Sequence, residues 1–291
     1  MKNTTHFQPM LAHKWNSDRI DWSKNNYIQS KLDGVRCVMK EDGCYSRNGK
    51  KFHQVDHLYT KKIKDLFKQN PWLVLDGELY THDLKDDFPK LVGIVKRKDK
   101  TPENARIARQ IQFWVYDFVM VNPRTNKVDK IEADMNRYSS RYKSLSNLPI
   151  FGKYIKLCPT YNLISESMLK VYHAKLLKDG YEGSIVRCDG PYKNGRSFDL
   201  MKVKDFSDTE ATIIDWVEGK GKRAGTIGKF IGKDEDGVEF GIPIMDKQSK
   251  LVRDFEEMKR WIGKTCTFTY FERTPAGSYR HPLFKTLRSY E

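Results

Sequence analysis

The sequence predicts an α+β domain over residues 1–204 and a small all-β domain over residues 205–291. A length of 291 residues is typical of two compact domains, and a hydrophobic content of 38% is enough for packed cores. After Lys204–Asp208 the chain consists of short segments separated by glycines. No apolar run reaches the ~18 residues that a membrane span needs, and the first residues lack the apolar segment of a secretory signal. We therefore expect a soluble, folded protein.

Strands and helices are mixed in the first domain. Ser165–Asp179 predicts a helix because it begins with a polar residue, carries an apolar stripe and is followed by Gly180. We interpret that stripe as ordinary core packing. It consists of Met168, Val171, Tyr172 and Leu176. Short apolar runs predict strands in both domains. They are Cys37–Met39, Trp72–Leu75, Phe113–Val119, Ile185–Arg187 and Ala211–Val217.

The second domain consists of short strands, glycine turns and one predicted helix. Leu251, Phe255 and Met258 recur at helical spacing after Asp246, a possible N-cap, and we interpret them as core. Short strands separated by glycine turns are typical of a small Greek-key barrel such as an OB-fold, which often binds nucleic acid.

Charge and cysteine usage narrow the function classes. The chain has 53 Lys+Arg against 38 Asp+Glu, a net charge of +15, which favours a polyanionic partner. Five scattered cysteines without a C-x-x-C pair argue against a disulfide framework or a structural zinc site. This usage fits a reducing cytosol, either bacterial or that of a phage-infected host.

Several familiar nucleotide-binding and hydrolase motifs are absent from the sequence. It contains no G-x-x-x-x-G-K-[ST], no G-x-G-x-x-G after a strand, no H-E-x-x-H and no G-x-S-x-G. P-loop nucleotidases, dinucleotide-binding enzymes, zinc proteases of that type and α/β-hydrolases are therefore excluded.

Short charged segments instead lie beside the predicted strands. Taken singly they are ordinary, because D-G is a common turn dipeptide and exposed lysines are frequent. In chain order they are Lys31-Leu-Asp-Gly-Val-Arg36, Ser46-Arg-Asn-Gly-Lys50, Asp76-Gly-Glu78, Tyr116-Asp-Phe118, Glu182-Gly183 and Lys202-Val-Lys204.

In this order the segments resemble the motif series of the covalent nucleotidyltransferases, which include DNA ligases, RNA ligases and mRNA-capping enzymes. The end of the chain is similar to that of small phage-type ATP-dependent DNA ligases. The similar segments there are Tyr270–Thr274, Arg280–Phe284 and Arg288. The resemblance extends from about Gln29 to the end and implies a nucleotidyltransferase (adenylation) domain followed by an OB-fold domain.

The resemblance implies a three-step reaction. Lys31 attacks the α-phosphate of ATP and forms lysyl-AMP with release of pyrophosphate. AMP then passes to the 5′-phosphate at a nick in duplex DNA. The neighbouring 3′-hydroxyl finally displaces AMP and closes the strand.

The resemblance also assigns roles to single residues. Glu182 is the implied ligand of Mg²⁺ or Mn²⁺, while Asp33 and Asp76 are further motif carboxylates whose alternative role is to shape turns. The implied ATP- and AMP-binding residues are Gln29, Ser30, Lys31, Arg36, Glu78, Tyr116, Lys202 and Lys204. The implied contacts to the nick phosphate are Arg36, Ser46, Arg47 and Arg280.

These residue types suit the chemistry. A nucleophilic lysine must be an unprotonated amine, and Lys202 and Lys204 nearby would lower its pKa and neutralise phosphates. Glu78 suits a ribose hydroxyl. Tyr116 suits stacking on a purine, with core packing as the alternative. Arginine side chains suit phosphate because their forked donors match its oxygens.

Two positions depart from the family pattern. Gln29 stands where the family often has Glu, and we expect its amide oxygen to accept a hydrogen bond from the adenine amino group. Ser184 follows Glu182-Gly183 where an apolar residue is usual, and we expect it at a strand edge.

Three functions remain open at this point. The first is an ATP-dependent DNA ligase acting as a monomer that clamps DNA with both domains. Only 30 residues precede Lys31, so we expect the affinity for a nick to come from these two domains and the net charge. The second is an RNA ligase of the same superfamily, which would recognise a 2′-hydroxyl. The third is a non-catalytic nucleic-acid-binding protein with the same fold, against which the intact Lys31 and Glu182 argue.

Overall fold

Among the described residues, three β-sheets form the framework of the protein. The computed structural model describes residues 6–122, 126–128, 136–245, 259–274 and 277–288. The chain divides into two units, Met1–Val203 and Lys204–Glu291. The first mixes strands and helices and the second is mainly strands, so the predicted order of an α+β domain and an all-β domain is confirmed.

The first unit contains two sheets built from strands that are distant in sequence. Its strands are β1 (Met10–Lys14), β2 (Asn26–Lys31), β3 (Val35–Lys40), β4 (Gly43–Tyr45), β5 (Leu73–Tyr80), β6 (Gln112–Asn122), β7 (Lys127–Val128), β8 (Ile155–Leu157), β9 (Thr160–Asn162), β10 (Gly183–Cys188) and β11 (Gly195–Val203). The first sheet has the order β1-β11-β10-β2-β9, with β1 parallel to β11. The second sheet has the order β4-β3-β5-β6-β7, and β8 pairs with β6.

The two sheets of the first unit pack face to face. Val38, Val74 and Val119 of the second sheet share a buried cluster with Leu200 of the first. Because side chains alternate along a strand, residues two positions from these valines project into the same space. This alternation directs several of the predicted charged side chains between the sheets.

Helices flank both sheets. They are α1 (Lys61–Gln69), α2 (Phe88–Lys96), α3 (Pro102–Ala108), α4 (Tyr138–Ser146) and α5 (Glu166–Lys178). A large apolar cluster that includes Phe67, Leu91 and Phe113 covers the outer face of the second sheet. None of the helices in the described ranges has the length and apolar character that a bilayer crossing requires.

The second unit is built on one antiparallel sheet. Its strands are β12 (Ser207–Glu218), β13 (Ile227–Lys233), β14 (Glu239–Pro243), β15 (Thr265–Tyr270) and β16 (Leu283–Leu287). Their order is β14-β13-β12-β15-β16, and Phe230, Ile242 and Phe268 are fully buried in the core of this unit. The predicted helical stripe of Leu251, Phe255 and Met258, with Asp246 as its cap, lies outside the described residues.

The helix predicted over Ser165–Asp179 is confirmed, and Met168, Tyr172 and Leu176 of its stripe pack against a buried cluster as predicted, whereas Val171 does not. The Ser165 hydroxyl caps α5 by accepting a hydrogen bond from the Met168 backbone, and Gly180 follows with φ +83°. Leu169 and His173 are the buried residues of the helix, and Val171 is 70% exposed.

Candidate active site

Lys31 and Glu182 lie at the ends of two adjacent antiparallel strands. Lys31 ends β2 opposite Gly183, which begins β10, and the Glu182 amide donates to the Lys31 carbonyl at 3.1 Å. The Lys31 ammonium forms an ion pair with the Glu182 carboxylate. A side chain at Gly183 would place its Cβ 2.3 Å from the Val203 carbonyl oxygen, so this close approach of β10 to β11 requires glycine. The fold thus brings two predicted site residues into contact.

Lys202 lies near this pair on β11. It pairs with Ile185 of β10 on one side and with Lys14 of β1 on the other. Burial lowers the pKa of Lys202, and nearby positive charges lower it further. These charges belong to Lys31, Arg196, Lys14 and Arg47. This end of the space between the sheets therefore concentrates positive charge, which suits phosphate groups.

Arg36 and Asp76 form a buried ion pair between the sheets. The Arg36 Nε and Nη2 atoms donate to the two Asp76 carboxylate oxygens at 2.7 and 2.6 Å, and Nη2 also donates to the Met10 carbonyl at 2.9 Å. The Tyr192 hydroxyl donates to Asp76 at 2.6 Å. Asp76 lies inside β5, so the interpretation of Asp76-Gly77 as a turn is wrong: cross-strand pairing with Val38 extends the strand through it.

Tyr116 is held in place by its hydroxyl and by two guanidinium groups. Its hydroxyl donates to the Gly77 carbonyl at 3.2 Å and to a Glu78 oxygen at 3.4 Å. The guanidinium carbons of Arg36 and Arg187 lie 5.0 and 5.2 Å from its ring centroid. The ring already makes cation–π contacts with both arginines. Stacking of a purine on Tyr116 stays a prediction, and it requires at least one of these guanidinium groups to move away from the ring.

Glu78 lies beside Tyr116 and faces the same space. Burial raises the pKa of Glu78 to about 7, although the positive charges of Arg36 and Lys31 oppose the shift. The carboxyl therefore exchanges a proton near neutral pH. Its predicted contact with a ribose hydroxyl is compatible with either protonation state, because a carboxyl group can accept a hydrogen bond in both.

Gln29 faces the space between the sheets, but a neighbouring side chain holds its amide oxygen. That oxygen accepts a hydrogen bond from the Arg187 Nε at 2.6 Å. The amide nitrogen donates to the Tyr138 and Thr160 hydroxyls at 2.9 and 2.8 Å. The expected hydrogen bond from the adenine amino group to this oxygen stays a prediction, and it would have to use the lone pair that Arg187 leaves.

Arg187 belongs to a buried network that no sequence motif predicted. Its Nη1 donates to Asp117 at 3.0 Å, and Arg141 binds the same carboxylate through Nε and Nη2 at 2.8 and 3.1 Å. Asp117 is fully buried. A charged residue inside an apolar strand was a usable signal for Asp117 and Arg187, whereas Arg141 lies on α4 with no motif around it.

We expected Ser184 at a strand edge, but this is wrong because β10 lies between β2 and β11. The side chain is fully buried and its Oγ lies in a hydrogen bond 2.8 Å from the Nδ1 atom of His173 on α5. The polar residue at this position is thus tolerated because it has a buried partner.

The remaining predicted residues of the first unit lie around this centre. Ser30 points to the opposite face of β2, where its Oγ lies 3.8 Å from the Cys158 sulfur. Ser46 and the exposed Arg47 lie in a turn after β4, and Arg47 is close enough to influence Lys202. Asp33 lies in the connection between β2 and β3, which agrees with a turn.

Lys204 and Arg280 belong to the second unit. The Lys204 ammonium lies 4.5 Å and the Arg280 guanidinium 5.7 Å from the ring centroid of Phe271. Arg280 also pairs with Glu272. Because β11 ends at Val203, Lys204 does not continue the strand that carries Lys202. The roles of Lys204 in AMP binding and of Arg280 in nick binding stay predictions.

Comparison with known families gives two matches along the chain. Residues 9–204 match the ATP dependent DNA ligase domain, and residues 218–288 match the DNA ligase OB-like domain. The first match covers every predicted site residue of the first unit.

Individual relatives are DNA ligases. The DNA ligase of African swine fever virus, Warthog isolate, is 27% identical over 240 residues, which cover 77% of this chain and 53% of the relative. The ligase of the Badajoz strain is 31% identical over 217 residues, 69% of this chain and 46% of the relative. The chain thus spans about half the length of these curated relatives.

A solved structure has the same fold. A Lig E DNA ligase, described as binding DNA with a minimal scaffold, superposes with a TM-score of 0.76 at 23% identity. The superposition covers 97% of this chain and 99% of that chain.

Proposed function

The chain belongs to the family of ATP-dependent DNA ligase domains, and from this we propose that it seals nicks in duplex DNA through a lysyl-AMP intermediate. The observation that carries the proposal is the convergence of Lys31, Glu182 and Lys202 on neighbouring strand ends. A primary amine, a carboxylate and a second cation are the groups that nucleophilic attack on a phosphate requires.

In the first step the Lys31 amine attacks the α-phosphorus of ATP and pyrophosphate leaves. Its ion pair with Glu182 holds the ammonium form, so the attack requires this pair to separate and the proton to leave Nζ. The positive charge of Lys202 favours the neutral amine and also neutralises phosphate oxygens. The covalent intermediate divides one difficult condensation into simpler displacements.

Glu182 fits a magnesium ion only together with the nucleotide. The described residues contain no group of three His, Cys, Asp or Glu side chains that could hold a metal. Magnesium is commonly held by one or two carboxylates and by substrate phosphates, which Glu182 with bound ATP would provide. When bound, the ion would supply positive charge opposite the phosphate oxygens.

In the later steps AMP passes to the 5′-phosphate of the nick, and the 3′-hydroxyl displaces it. Arg47, exposed beside Lys202, is the proposed contact to the nick phosphate. The net charge of +15 supports attraction to DNA before specific contacts form. We propose that the protein acts as a monomer in the cytosol, a reducing compartment compatible with its five free cysteines.

The decisive experiment is intact mass after incubation with Mg²⁺ and ATP, GTP or NAD, followed by peptide mapping. We expect the mass of one AMP on Lys31 with ATP, and no addition in Lys31→Ala. Lys175→Ala removes an exposed lysine that pairs with Asp179 on α5 and serves as the matched control, which should be labelled normally.

A sample pretreated with pyrophosphate runs in parallel, because a protein purified with AMP already attached would gain no mass. If that sample also gains none, the lysyl-AMP mechanism is wrong. Sealing assays with DNA and RNA strands then separate a DNA ligase from an RNA ligase.

A further inference from the structure

A cavity lies at the β1 edge of the first sheet, and none of the roles above uses it. Its volume is about 500 Å³. It is lined by His13, Lys14, Trp15, Asn16, Ser17 and Phe198. We refer to it as the edge cavity. Its lining combines aromatic rings with a cation, the combination by which proteins hold single-stranded nucleic acid.

The aromatic part of the edge cavity is a parallel stack. The rings of His13 and Phe198 are 3.8 Å apart at their centroids and inclined by only 3°. The Arg19 guanidinium lies 4.8 Å from the Phe198 centroid. A flat ring entering the cavity would extend this stack, and every nucleobase offers such a ring.

Hydrogen bonds from backbone amides fix the walls of the edge cavity. The Trp15 amide donates to the Lys202 carbonyl at 3.0 Å, which ties the wall to β11. The Asn16 side chain accepts from the Asp18 amide at 2.9 Å and caps the short helical turn Ser17–Arg19. Binding to a preformed site of this kind does not carry the free-energy cost of ordering a loop.

Cations at the edge cavity connect it to the phosphate-binding end of the site. Lys14 is paired with Lys202 across β1 and β11. The Arg196 Nη1 donates to the Ala12 carbonyl at 2.6 Å, which holds this guanidinium against β1. A DNA strand whose phosphates follow Lys202, Arg196 and Lys14 would bring a base to the cavity.

We infer that the edge cavity binds one unpaired nucleotide of the DNA substrate, with its base on the His13–Phe198 stack and its phosphate near Lys14 and Arg196. The nucleotide must be unpaired because a base inside a duplex is already stacked on both faces. The inference rests on the proposed function and adds a preference for breaks that adjoin single-stranded DNA.

The sheet geometry sets the position of this nucleotide. Three strand spacings separate β1 from β2, which ends at Lys31. At about 4.8 Å each this is ~14 Å. That distance corresponds to roughly four base-pair steps of DNA at 3.4 Å per step.

The test compares two DNA substrates by fluorescence anisotropy, both with a 3′-dideoxy end that prevents sealing. One is a fully paired nicked duplex, and the other has a single-stranded segment that begins four nucleotides from the nick. We expect the protein to bind the partly single-stranded DNA about tenfold more tightly, the order of one base–aromatic stack.

The variants Phe198→Leu and His13→Leu should abolish this preference. Tyr161→Leu is the matched control: Tyr161 is likewise stacked on a neighbouring ring, that of Tyr172, and it lies on β9 at the opposite edge of the sheet. It should keep the preference. AMP attachment from ATP, measured on every variant, verifies that the first unit is folded.

Three results would overturn the inference: equal affinity of the unsubstituted protein for both DNAs, a preference that survives in Phe198→Leu and His13→Leu, or an equal loss on both DNAs in these variants. A preference seen only with a single-stranded RNA segment would also overturn it. Absence of AMP attachment in the unsubstituted protein would instead remove the proposed function, so the two failures are distinguishable.

Discussion

The two ends of the space between the sheets of the first unit differ in how their charges are balanced. At one end, which we call the paired end, Asp76 and Asp117 are bound by arginine side chains from other strands and from α4. At the other, the cationic end, Lys31 and Lys202 lie with neighbouring cations around the Glu182 carboxylate. The paired end is complete without a ligand, whereas the cationic end has charge that an anion would balance.

This difference predicts which substitutions affect the stability of the protein and which affect its activity. Breaking a buried ion pair is costly because the remaining charge loses its partner in a medium of low polarity. Charges that reach water cost little to keep and are available to bind phosphates. We therefore expect substitutions at the paired end to affect stability first, and substitutions at the cationic end to affect activity first.

The largest effect should come from Asp117→Ala at the paired end. It would leave Arg141 and Arg187 buried without their shared carboxylate. We expect the free energy of unfolding to fall by about 3–5 kcal/mol. Urea denaturation would measure it.

Asp56→Ala, which breaks the exposed pair with Lys100, is the control for Asp117→Ala. It should cost less than about 1 kcal/mol. Equal losses in the two variants would contradict the assignment of Asp117 to a stabilising network.

Glu182→Gln should show the opposite pattern at the cationic end. The Lys31–Glu182 pair is about as buried as the Arg36–Asp76 pair, but glutamine keeps a hydrogen-bond acceptor for Lys31, so we expect a loss of stability of about 1–3 kcal/mol, less than in Asp117→Ala. The rate of AMP attachment should fall about 100-fold, a typical loss when one electrostatic partner of the reacting group is removed. A single-turnover assay with ATP and urea denaturation of the same sample would measure both. A large loss of stability with normal AMP attachment would show that Glu182 contributes to stability and not to activity.

The sequence predicted the cationic end better than the paired end, for a physical reason. Lys31, Glu182 and Lys202 occupy short motifs at strand ends, and the register of adjacent strands brings strand ends together. Arg141 lies on a helix with no motif around it, so only the packing of α4 on the sheet reveals its role.

Two local signals were overridden by tertiary structure. Asp76-Gly77 is a turn dipeptide by itself, but pairing with β3 and β6 keeps it inside a strand. The apolar stripe of α5 packs against the core at Met168, Tyr172 and Leu176, but Leu169 and His173 are more deeply buried and Val171 is exposed. Local periodicity indicates that a helix forms, but it does not fix which residues are most buried when a polar residue such as His173 finds a buried partner.

Glu78, between the two ends, should give stability a pH dependence. Because burial raises its pKa to about 7 from 4.5, the folded protein retains a proton that the unfolded chain has released between these pH values. Stability should therefore fall as pH rises through this window. Since the side chain is only partly buried, we expect about 1–3 kcal/mol from this group.

Urea denaturation at pH 5 and pH 7.5 would test this dependence on the unsubstituted protein and on Glu78→Gln. The variant cannot ionise at this position, so its stability should change less between the two pH values. Parallel changes in both proteins would show that other groups cause the dependence.

The smallest expected effect is that of Arg47→Ala, which removes an exposed cation from the cationic end while leaving the Lys31–Glu182 pair intact. AMP attachment should be unchanged, and nick affinity at low salt should fall about fivefold. The slope of log affinity against log salt should decrease by about 1, as expected for one phosphate contact. Arg106→Ala, which removes an exposed arginine on α3, is the control and should change neither quantity. If Arg47→Ala impairs AMP attachment and transfer to DNA equally, Arg47 has a structural role in the site. Substitutions at the cationic end would then affect the structure of the site as well as DNA binding.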